Sequence, residues 1–484
     1  MKLNLKTKIA YGLAGVGDSA LYNLAGTFLL FFLSTVVGIS PAIAGTLAAI
    51  GSIWETVCGA VVGYLSDNTY TRFGKRKPYL LIASFPLAVF TGLLFTSIDA
   101  SESVRIVYYG ITILLFWTSF STFFVPYLAW GAELTQDYDE RTVLRGYTYL
   151  FNALGMAMGM ILPNIIVDFL LNMGRSSAQS WQLMAVFCGG CSALTIFIGA
   201  VGIKDRYEKE YAERKAAGTL PEKKRRTGSR IKELALIIWD MLRNYGQILK
   251  LRSVRFIVGT SIFYLVAYAI FCADRMYFFT YNMGLSAAGI TFIMALMTFA
   301  SVLFVPVILR VNRYFDKRTM FIFGMGFCAA IMALFGLTGV HSILMLCLFS
   351  MAYCVGSICY WQLVPAMIYD VCEVDQLANR KQRAGLVISL QSLSESMANA
   401  VGLQILGLIL QFAGFNGEAA VQSQTTLVWT HLSFTVIPAF FMVLSIIMVI
   451  KYPITKTMYN KVLDALACRE KGEEIDLQPF KKLI

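Results

Sequence analysis

A single carboxylate interrupts the apolar stretch GSIWETVCGAVVGYLSD at residues 51–67. Gly51, Glu55, Gly59 and Gly63 recur every four positions, so in a helix they share one face. A stripe of small residues favours close helix packing over lipid contact. The pattern therefore predicts that Glu55 points inward and has a functional role, with a neutral, hydrogen-bonded acid as the structural alternative.

A second carboxylate, Asp18, lies in YGLAGVGDSALYN, with Tyr11 and Tyr22 at helical spacing on its face. A carboxyl group between phenols in a glycine-rich helix suits a polar cavity. A structural hydrogen-bond network explains the same residues equally well, so both interpretations stay open.

Two more polar clusters interrupt apolar stretches further along the chain. Asp274 and Arg275 are adjacent and point about 100° apart on a helix, so each needs its own partner. Arg275 suits either an anionic substrate or a gating ion pair, and the pattern slightly favours the gate. Glu395 follows Gln391 by one turn in SLQSLSESMANAVG and faces inward if the small residues after it mark the packed side.

Aromatic residues near these acids offer rings that can stack on a sugar or an amphiphile, and for each ring alone packing is the more common role. They are Trp54, Tyr127, Trp130, Tyr149, Tyr264, Tyr268, Tyr360 and Trp361. Catalysis finds little support, because the chain has only 2 histidines and no zinc spacing or phosphate-binding loop. We expect no enzyme activity, no metal and no cofactor other than a coupling ion, H+ or Na+.

The elements that carry these residues are predicted to be membrane-spanning helices. Apolar residues make up 57% of the 484 residues and charged residues 14%. A bilayer core needs about 20 apolar residues of helix. Twelve runs reach that length, and they predict an all-α polytopic membrane protein: 9–37, 42–65, 79–98, 104–130, 147–171, 181–203, 255–281, 287–309, 319–338, 342–368, 385–411 and 428–450.

The net charge of +12 reflects topology and not nucleic-acid binding. With the N-terminus inside, nearly all Lys and Arg fall on cytoplasmic segments, as the positive-inside rule requires. We therefore predict a multi-pass protein of the plasma (inner) membrane, with both termini cytoplasmic and no nucleic-acid partner. We also expect a monomer.

The spans divide six and six around a polar segment. We predict an N-terminal bundle at 1–203, a linker with an interfacial amphipathic helix at 204–254, a C-terminal bundle at 255–450 and a cytoplasmic tail at 451–484. Two six-helix halves joined by a long loop are typical of transporters with parallel repeats.

Four stretches of the sequence resemble a known transporter superfamily or one family within it. GYLSDNTYTRFGKRK resembles the cytoplasmic loop of the major facilitator superfamily. YGLAGVGDSALYN, VPYLAWGAELTQDYDERTVLRGY and LVPAMIYDVCEVDQLANRKQRAGLVISLQSLSES resemble the glycoside–pentoside–hexuronide:cation symporters, the melibiose permease group. This resemblance implies the major facilitator fold and cation-coupled symport by alternating access.

The resemblance also implies residue roles. A cytoplasmic gate would comprise Gly63, Asp67, Arg72, Gly74, Lys75, Arg76, Lys77, Glu133 and Arg141, with Arg145 beside it. Glu55, with Asp18, would bind the coupling cation. The candidate substrate-binding residues are Asp18, Ser19, Tyr22, Tyr127, Trp130, Arg145, Tyr149, Arg275, Trp361, Gln391 and Glu395.

The chain departs from the family pattern at both sites. The second acidic position on span 2 is Gly59 and the residue between is Cys58, so a lone carboxylate here suits a proton better than sodium. The family's sugar-binding charges fall at Ser19, Phe124, Tyr149 and Ser396, so melibiose is not expected. We predict a glycoside, oligosaccharide or hexuronide as the substrate. The alternatives are a non-sugar amphiphile such as a lysolipid, or an uncoupled facilitator or sensor.

Overall fold

The computed structural model describes residues 3–67, 69, 71–134, 138–203, 243, 245–311, 314–379, 384–419, 421–470, 478–480 and 483. Most of the predicted linker at 204–254, including the start of its interfacial helix, lies outside the described residues.

Within the residues that the structure describes, twelve helical spans are long and apolar enough to cross a membrane, which confirms the predicted all-α architecture. Numbered in chain order as spans 1 to 12, they are Leu5–Val36, Pro41–Asp67, Lys77–Leu94, Glu102–Gly131, Val143–Asn172, Ser177–Gly202, Arg252–Asn282, Ala287–Ile308, Lys317–Thr338, Ile343–Ala378, Leu386–Phe412 and Gln424–Lys451. Five helices extend beyond the ends of their spans: Glu102–Leu134, Tyr138–Met160, Ala287–Val311, Ile343–Asn379 and Ala384–Phe412. After span 12 come the helix Lys456–Glu470 and the 3-10 turn Gln478–Phe480.

Proline breaks two of the spans into pairs of α-helices. Span 5 consists of helices that end at Met160 and resume at Leu162, just before Pro163. Span 12 breaks between Phe434 and Val436, before Pro438. The proline ring has no N–H to donate and collides with the carbonyl one turn earlier, so a continuous helix is strained there.

Spans 1 and 7 end in the same way, which supports a relation between the two sets of six spans. Each closes with a π-helical turn, Phe32–Val36 and Phe278–Asn282. A glycine with positive φ follows each, Gly38 at 75° and Gly284 at 57°. The next amide then donates back into the π-turn, Ile39 to Leu33 at 2.9 Å and Leu285 to Phe279 at 3.0 Å.

The chain forms two compact units. The first contains Met1–Arg226, Cys272–Thr298 and Leu403–Leu427, and the second contains Thr227–Phe271, Phe299–Gly402 and Val428–Ile484. Unit 1 thus takes in the ends of spans 7 and 11 that the charge pattern predicts to face outside, here called outer ends. The predicted domain boundaries at 203 and 255 stay a prediction.

Small residues bring spans 1 and 5 of unit 1 into backbone contact on either side of Asp18. A Cβ on Gly155 would overlap the carbonyl oxygen of Val16, and one on Gly159 would overlap that of Ala20. Because neither backbone can yield, this packing fixes the height of Asp18 within the bundle.

Candidate functional site

Glu55 lies on the face of span 2 that packs against span 4. The Ser121 hydroxyl of span 4 donates a hydrogen bond to the Glu55 carbonyl oxygen at 3.1 Å. A Cβ on Gly51 would lie 2.6 Å from an indole nitrogen of span 4, and one on Gly59 would lie 3.4 Å from a valine methyl. The stripe of small residues therefore packs against a helix, and Glu55 interrupts it within unit 1.

The carboxyl groups of Asp18 and Glu55 lie close enough to interact electrostatically. Both residues are half-buried, so their surfaces are neither sealed nor fully open. Within the described part of the chain, neither side chain forms an ion pair with any of the cations. Two neighbouring carboxyl groups without a basic partner can bind a proton or a metal cation, since either removes the repulsion between them.

Tyr127 and Trp130 are buried, each with 1% of its surface exposed. The Tyr127 hydroxyl donates to the Tyr11 carbonyl oxygen at 3.1 Å, and the Tyr11 hydroxyl donates to the Tyr127 carbonyl oxygen at 3.2 Å. Their rings stack with centroids 4.5 Å apart. The Tyr11 and Tyr127 rings thus join span 1 to span 4, and substrate contact by Tyr127 and Trp130 stays a prediction.

The other substrate-binding candidates of unit 1 keep accessible surface. Tyr22 and Tyr149 are about two-fifths exposed, Ser19 is half-buried and Arg145 is exposed. The Tyr22 ring meets the Trp117 ring edge-on at 6.2 Å. Sequence reasoning missed Trp117, because only the packing of span 4 on span 2 brings its indole against Gly51.

Arg275 lies near the outer end of span 7 and is 3% exposed. Its Nη2 donates to the Thr27 hydroxyl at 2.9 Å, and two residues later the Tyr277 hydroxyl lies 2.5 Å from that of Ser34. Both bonds join span 7 to span 1 within unit 1. The partner is a hydroxyl and not the carboxylate that a gating ion pair needs, so the gating and substrate-binding roles of Arg275 both stay predictions.

Glu395 and Gln391 form a polar pair on span 11 of unit 2. The Gln391 Nε2 donates to the Glu395 Oε1 at 3.0 Å, and Glu395 is half-buried. A Cβ on Gly402 would lie 2.6 Å from that of Ala269, so this face of span 11 packs on span 7.

Aromatic rings of spans 7 and 10 lie beside this pair. Tyr264 and Tyr360 stack with centroids 4.0 Å apart, and Tyr360 interacts electrostatically with Glu395. Tyr268 meets Trp361 nearly perpendicularly at 5.9 Å. Trp361 is 43% exposed, so one indole face stays open for a ligand.

Arg76 is the centre of the predicted cytoplasmic gate in unit 1. It is 6% exposed, and its guanidinium donates to the Ser66 hydroxyl at 2.6 Å, to Glu133 at 2.8 Å and to Asp67. Burial alone would lower the pKa of Arg76, but the hydrogen bonds and charges of Glu133 and Asp67 outweigh it and raise that pKa. The structure thus brings together the ends of spans 2 and 4 through one permanently charged side chain.

Some of the other gate candidates stabilise the span ends around Arg76, and Arg72 lies apart from them. Gly63 packs on span 4, and Gly74 has a φ of 93°, which a side chain would strain. The Lys77 ammonium donates to the Ile203 carbonyl oxygen at 3.1 Å and so caps span 6. Arg72 is exposed and lies 4.5 Å over the Phe73 ring, away from the Arg76 cluster. Lys75 is half-buried, and the side chain of Arg141 lies outside the described residues.

Two further ion pairs escaped the sequence analysis. Lys8 of span 1 lies 3.0 Å from Glu140, in the first turn of the helix Tyr138–Met160. In unit 2, the Lys317 ammonium lies 2.8 Å from both oxygens of Asp370, so span 9 is tied to span 10 much as span 3 is tied to span 4. Periodicity cannot pair residues so distant in sequence.

Twelve apolar spans, a carboxyl pair within them and ion clusters at the span ends are typical of a polytopic membrane transporter. Residues 10–456 match the family model described as MFS/sugar transport protein, and the chain belongs to this family. The chain is therefore a transporter and not an enzyme, and the family supports cation-coupled sugar transport in a multi-pass membrane protein.

Several known proteins are similar over most of the chain. The isoprimeverose transporter of Lactiplantibacillus pentosus is 25% identical over 86% of this chain and 82% of its own length. The putative glycoside/cation symporter YagG of Escherichia coli is 23% identical over 94% and 93%. The inward-open structure of the xylose transporter XylE from E. coli shares the fold, with a TM-score of 0.63, 15% identity and coverage of 95% of this chain and 98% of that one.

Proposed function

We propose that the protein is a proton-coupled symporter that carries a glycoside across the membrane by alternating access. The observation that carries this proposal is the pair formed by Asp18 and Glu55, two carboxyl groups on neighbouring spans that lie within electrostatic range. Two carboxylates within a membrane are destabilising unless a cation neutralises part of their charge. Cation binding is therefore the role that best explains the pair.

A proton suits this pair better than sodium. A hard metal cation gathers several oxygen ligands, and one turn beyond Glu55 the chain has Gly59 in place of a further carboxylate. A proton needs only one carboxyl group as its acceptor. In the proposed cycle, protonation of Glu55 removes its repulsion with Asp18, and loss of that proton on the other side of the membrane restores it.

Two sets of accessible groups support a sugar as the cargo. In unit 1, Tyr22 and Tyr149 expose rings in the same unit as Asp18, and in unit 2 Trp361 exposes one face near the Glu395 pair. Carboxylates accept hydrogen bonds from sugar hydroxyls, and aromatic faces stack on the apolar side of a sugar ring. The named sugar substrates of similar proteins agree with this class.

The distribution of basic residues supports the proposed orientation of the chain in the membrane. Basic residues concentrate at one set of span ends, which favours cytoplasmic termini in the plasma (inner) membrane. We propose a monomer, because one chain supplies both six-span sets.

Uptake into proteoliposomes tests the coupling role of Glu55. Wild-type protein should accumulate the glycoside when the outside is acidified, and a protonophore should abolish the gradient. Glu55→Gln should abolish accumulation yet retain substrate exchange, because a glutamine cannot release a proton. The matched control is Glu102→Gln, which changes an exposed glutamate at the outer end of span 4.

Full concentrative uptake by Glu55→Gln would refute the assignment. A specific observation, the missing second carboxylate at Gly59, keeps an uncoupled facilitator as the second candidate. Uptake that equilibrates and ignores both protonophore and sodium would favour that candidate.

A further inference from the structure

Basic and acidic residues occupy different depths in the spans. Each Lys or Arg of a span lies in its first or last turn, with the single exception of Arg275. The acidic residues farthest from any span end are Asp18, Glu55 and Glu395. All three are half-buried, and no Lys or Arg of the described spans lies as far from a span end as they do.

The two arginines among the substrate-binding candidates, Arg275 and Arg145, belong to unit 1, whereas Glu395 belongs to unit 2. Arg275 is 3% exposed, and its guanidinium binds the Thr27 hydroxyl. Arg145 lies within electrostatic range of Tyr11, which also interacts with Asp18.

Glu395 lies beside aromatic residues of unit 2, among which Trp361 is 43% exposed. It accepts a hydrogen bond from Gln391 and lies near Tyr360, whose ring contacts that of Trp361. An ionised carboxylate only accepts hydrogen bonds, so it pairs with a sugar hydroxyl. A uronate carboxylate has no proton to donate and carries the same charge, so the two groups repel one another.

We propose that the substrate is an uncharged glycoside and that Glu395 is the residue that excludes hexuronates. This inference rests on the proposed function and narrows it, since the sequence admits both glycosides and hexuronides. Repulsion across a few ångströms in a partly dry site corresponds to about tenfold or greater discrimination in Kd.

Matched ligand pairs test the inference on the purified full-length chain. The p-nitrophenyl β-glucoside and β-glucuronide differ only at C6, which carries CH2OH in one and a carboxylate in the other, and the corresponding galactoside pair repeats the comparison. Thermal-shift titrations at neutral pH, with and without sodium, give an apparent Kd for each ligand. Wild-type protein should bind the neutral member of a pair at least about tenfold more tightly.

Glu395→Gln should lower the ratio of the uronide Kd to the neutral-glycoside Kd about tenfold. The Kd of the neutral ligand should change less than that of the uronide. The amide oxygen can still accept the Gln391 bond, so the fold is kept, and Glu395→Ser repeats the test if the glutamine variant misfolds. Glu418→Gln, an exposed position in an outer loop, should leave the ratio unchanged.

Three results would overturn the inference. The first is a uronide that binds wild-type protein as tightly as its neutral partner. The second is an unchanged ratio in Glu395→Gln. The third is uronide binding that Arg145→Gln removes, which would place an anion site at Arg145. Absence of binding by every neutral glycoside and uronide contradicts the glycoside proposal itself, whereas tight uronide binding contradicts only the charge selectivity.

Discussion

Spans 2 and 11 touch through glycine backbones near their outer ends, and this contact predicts the effect of adding one methyl group. A Cβ on Gly407 would lie 2.6 Å from the Pro41 carbonyl oxygen and 3.0 Å from the Gly45 Cα. Both neighbours are backbone atoms, so no side-chain rotation relieves the overlap. Gly407→Ala must therefore push the two helices apart.

We expect spans 2 and 11 to separate here when the outer side opens, so the penalty of the added methyl group falls on the form in which the two helices touch. Overpacking a rigid contact costs about 1–3 kcal/mol, which shifts an open–closed equilibrium about 5–150-fold toward the open form. Labelling measures this shift. Ala48→Cys places a thiol in span 2 at a site that is 5% exposed, and a membrane-impermeant maleimide added outside should label it faster in the Gly407→Ala background.

A matched glycine supplies the control. Gly190 lies within span 6, and a Cβ there would meet nothing within 4 Å. Gly190→Ala should label at the wild-type rate, and protein without the added cysteine gives the background of the 10 native cysteines. Equal labelling of Gly407→Ala and wild type, or an equal acceleration by Gly190→Ala, would refute the proposed steric role.

Two further predictions concern the cytoplasmic ends of the spans. Arg76→Ala should lower transport at least about tenfold, because the carboxylates of Asp67 and Glu133 lose their cationic partner. Arg72→Ala should transport near the wild-type rate in the same uptake assay. Equal losses in the two variants would contradict the assignment of Arg76 as the central gate residue. Lys77→Met should lower the free energy of unfolding by about 1–3 kcal/mol, because the buried Ile203 carbonyl loses its hydrogen-bond donor. Thermal unfolding in detergent should detect this loss. Lys461→Met, at an exposed position, should leave the unfolding temperature nearly unchanged.

The span pattern was predictable because the bilayer acts on each segment separately. Every helix must satisfy its own backbone hydrogen bonds and expose apolar side chains, so length and hydropathy suffice. One further sequence signal went unused: VVGIS at 36–40 and NMGLS at 282–286 follow spans 1 and 7, and both end a π-helical turn.

For the candidate site, the sequence predicted which residues could have a function but not what surrounds them. A carboxylate in an apolar run indicates a role, and Asp18, Glu55 and Glu395 were found in this way. Ring exposure was not predictable, since Tyr127 is buried while Tyr22 is exposed, although both are aromatic residues beside polar ones. Exposure depends on which neighbouring span covers a face, and that is set by the packing of several helices at once.

The sequence by itself determined the twelve spans, the inward face of the Gly51–Gly63 stripe and the family, because these depend on local hydropathy, helical spacing and short motifs. Only the tertiary structure decided which charges meet: that Arg76 and not Arg72 joins Asp67 to Glu133, and that Arg275 binds Thr27. Such pairs join residues far apart in the chain, and their choice depends on angstrom-scale distances between helices that no local pattern encodes.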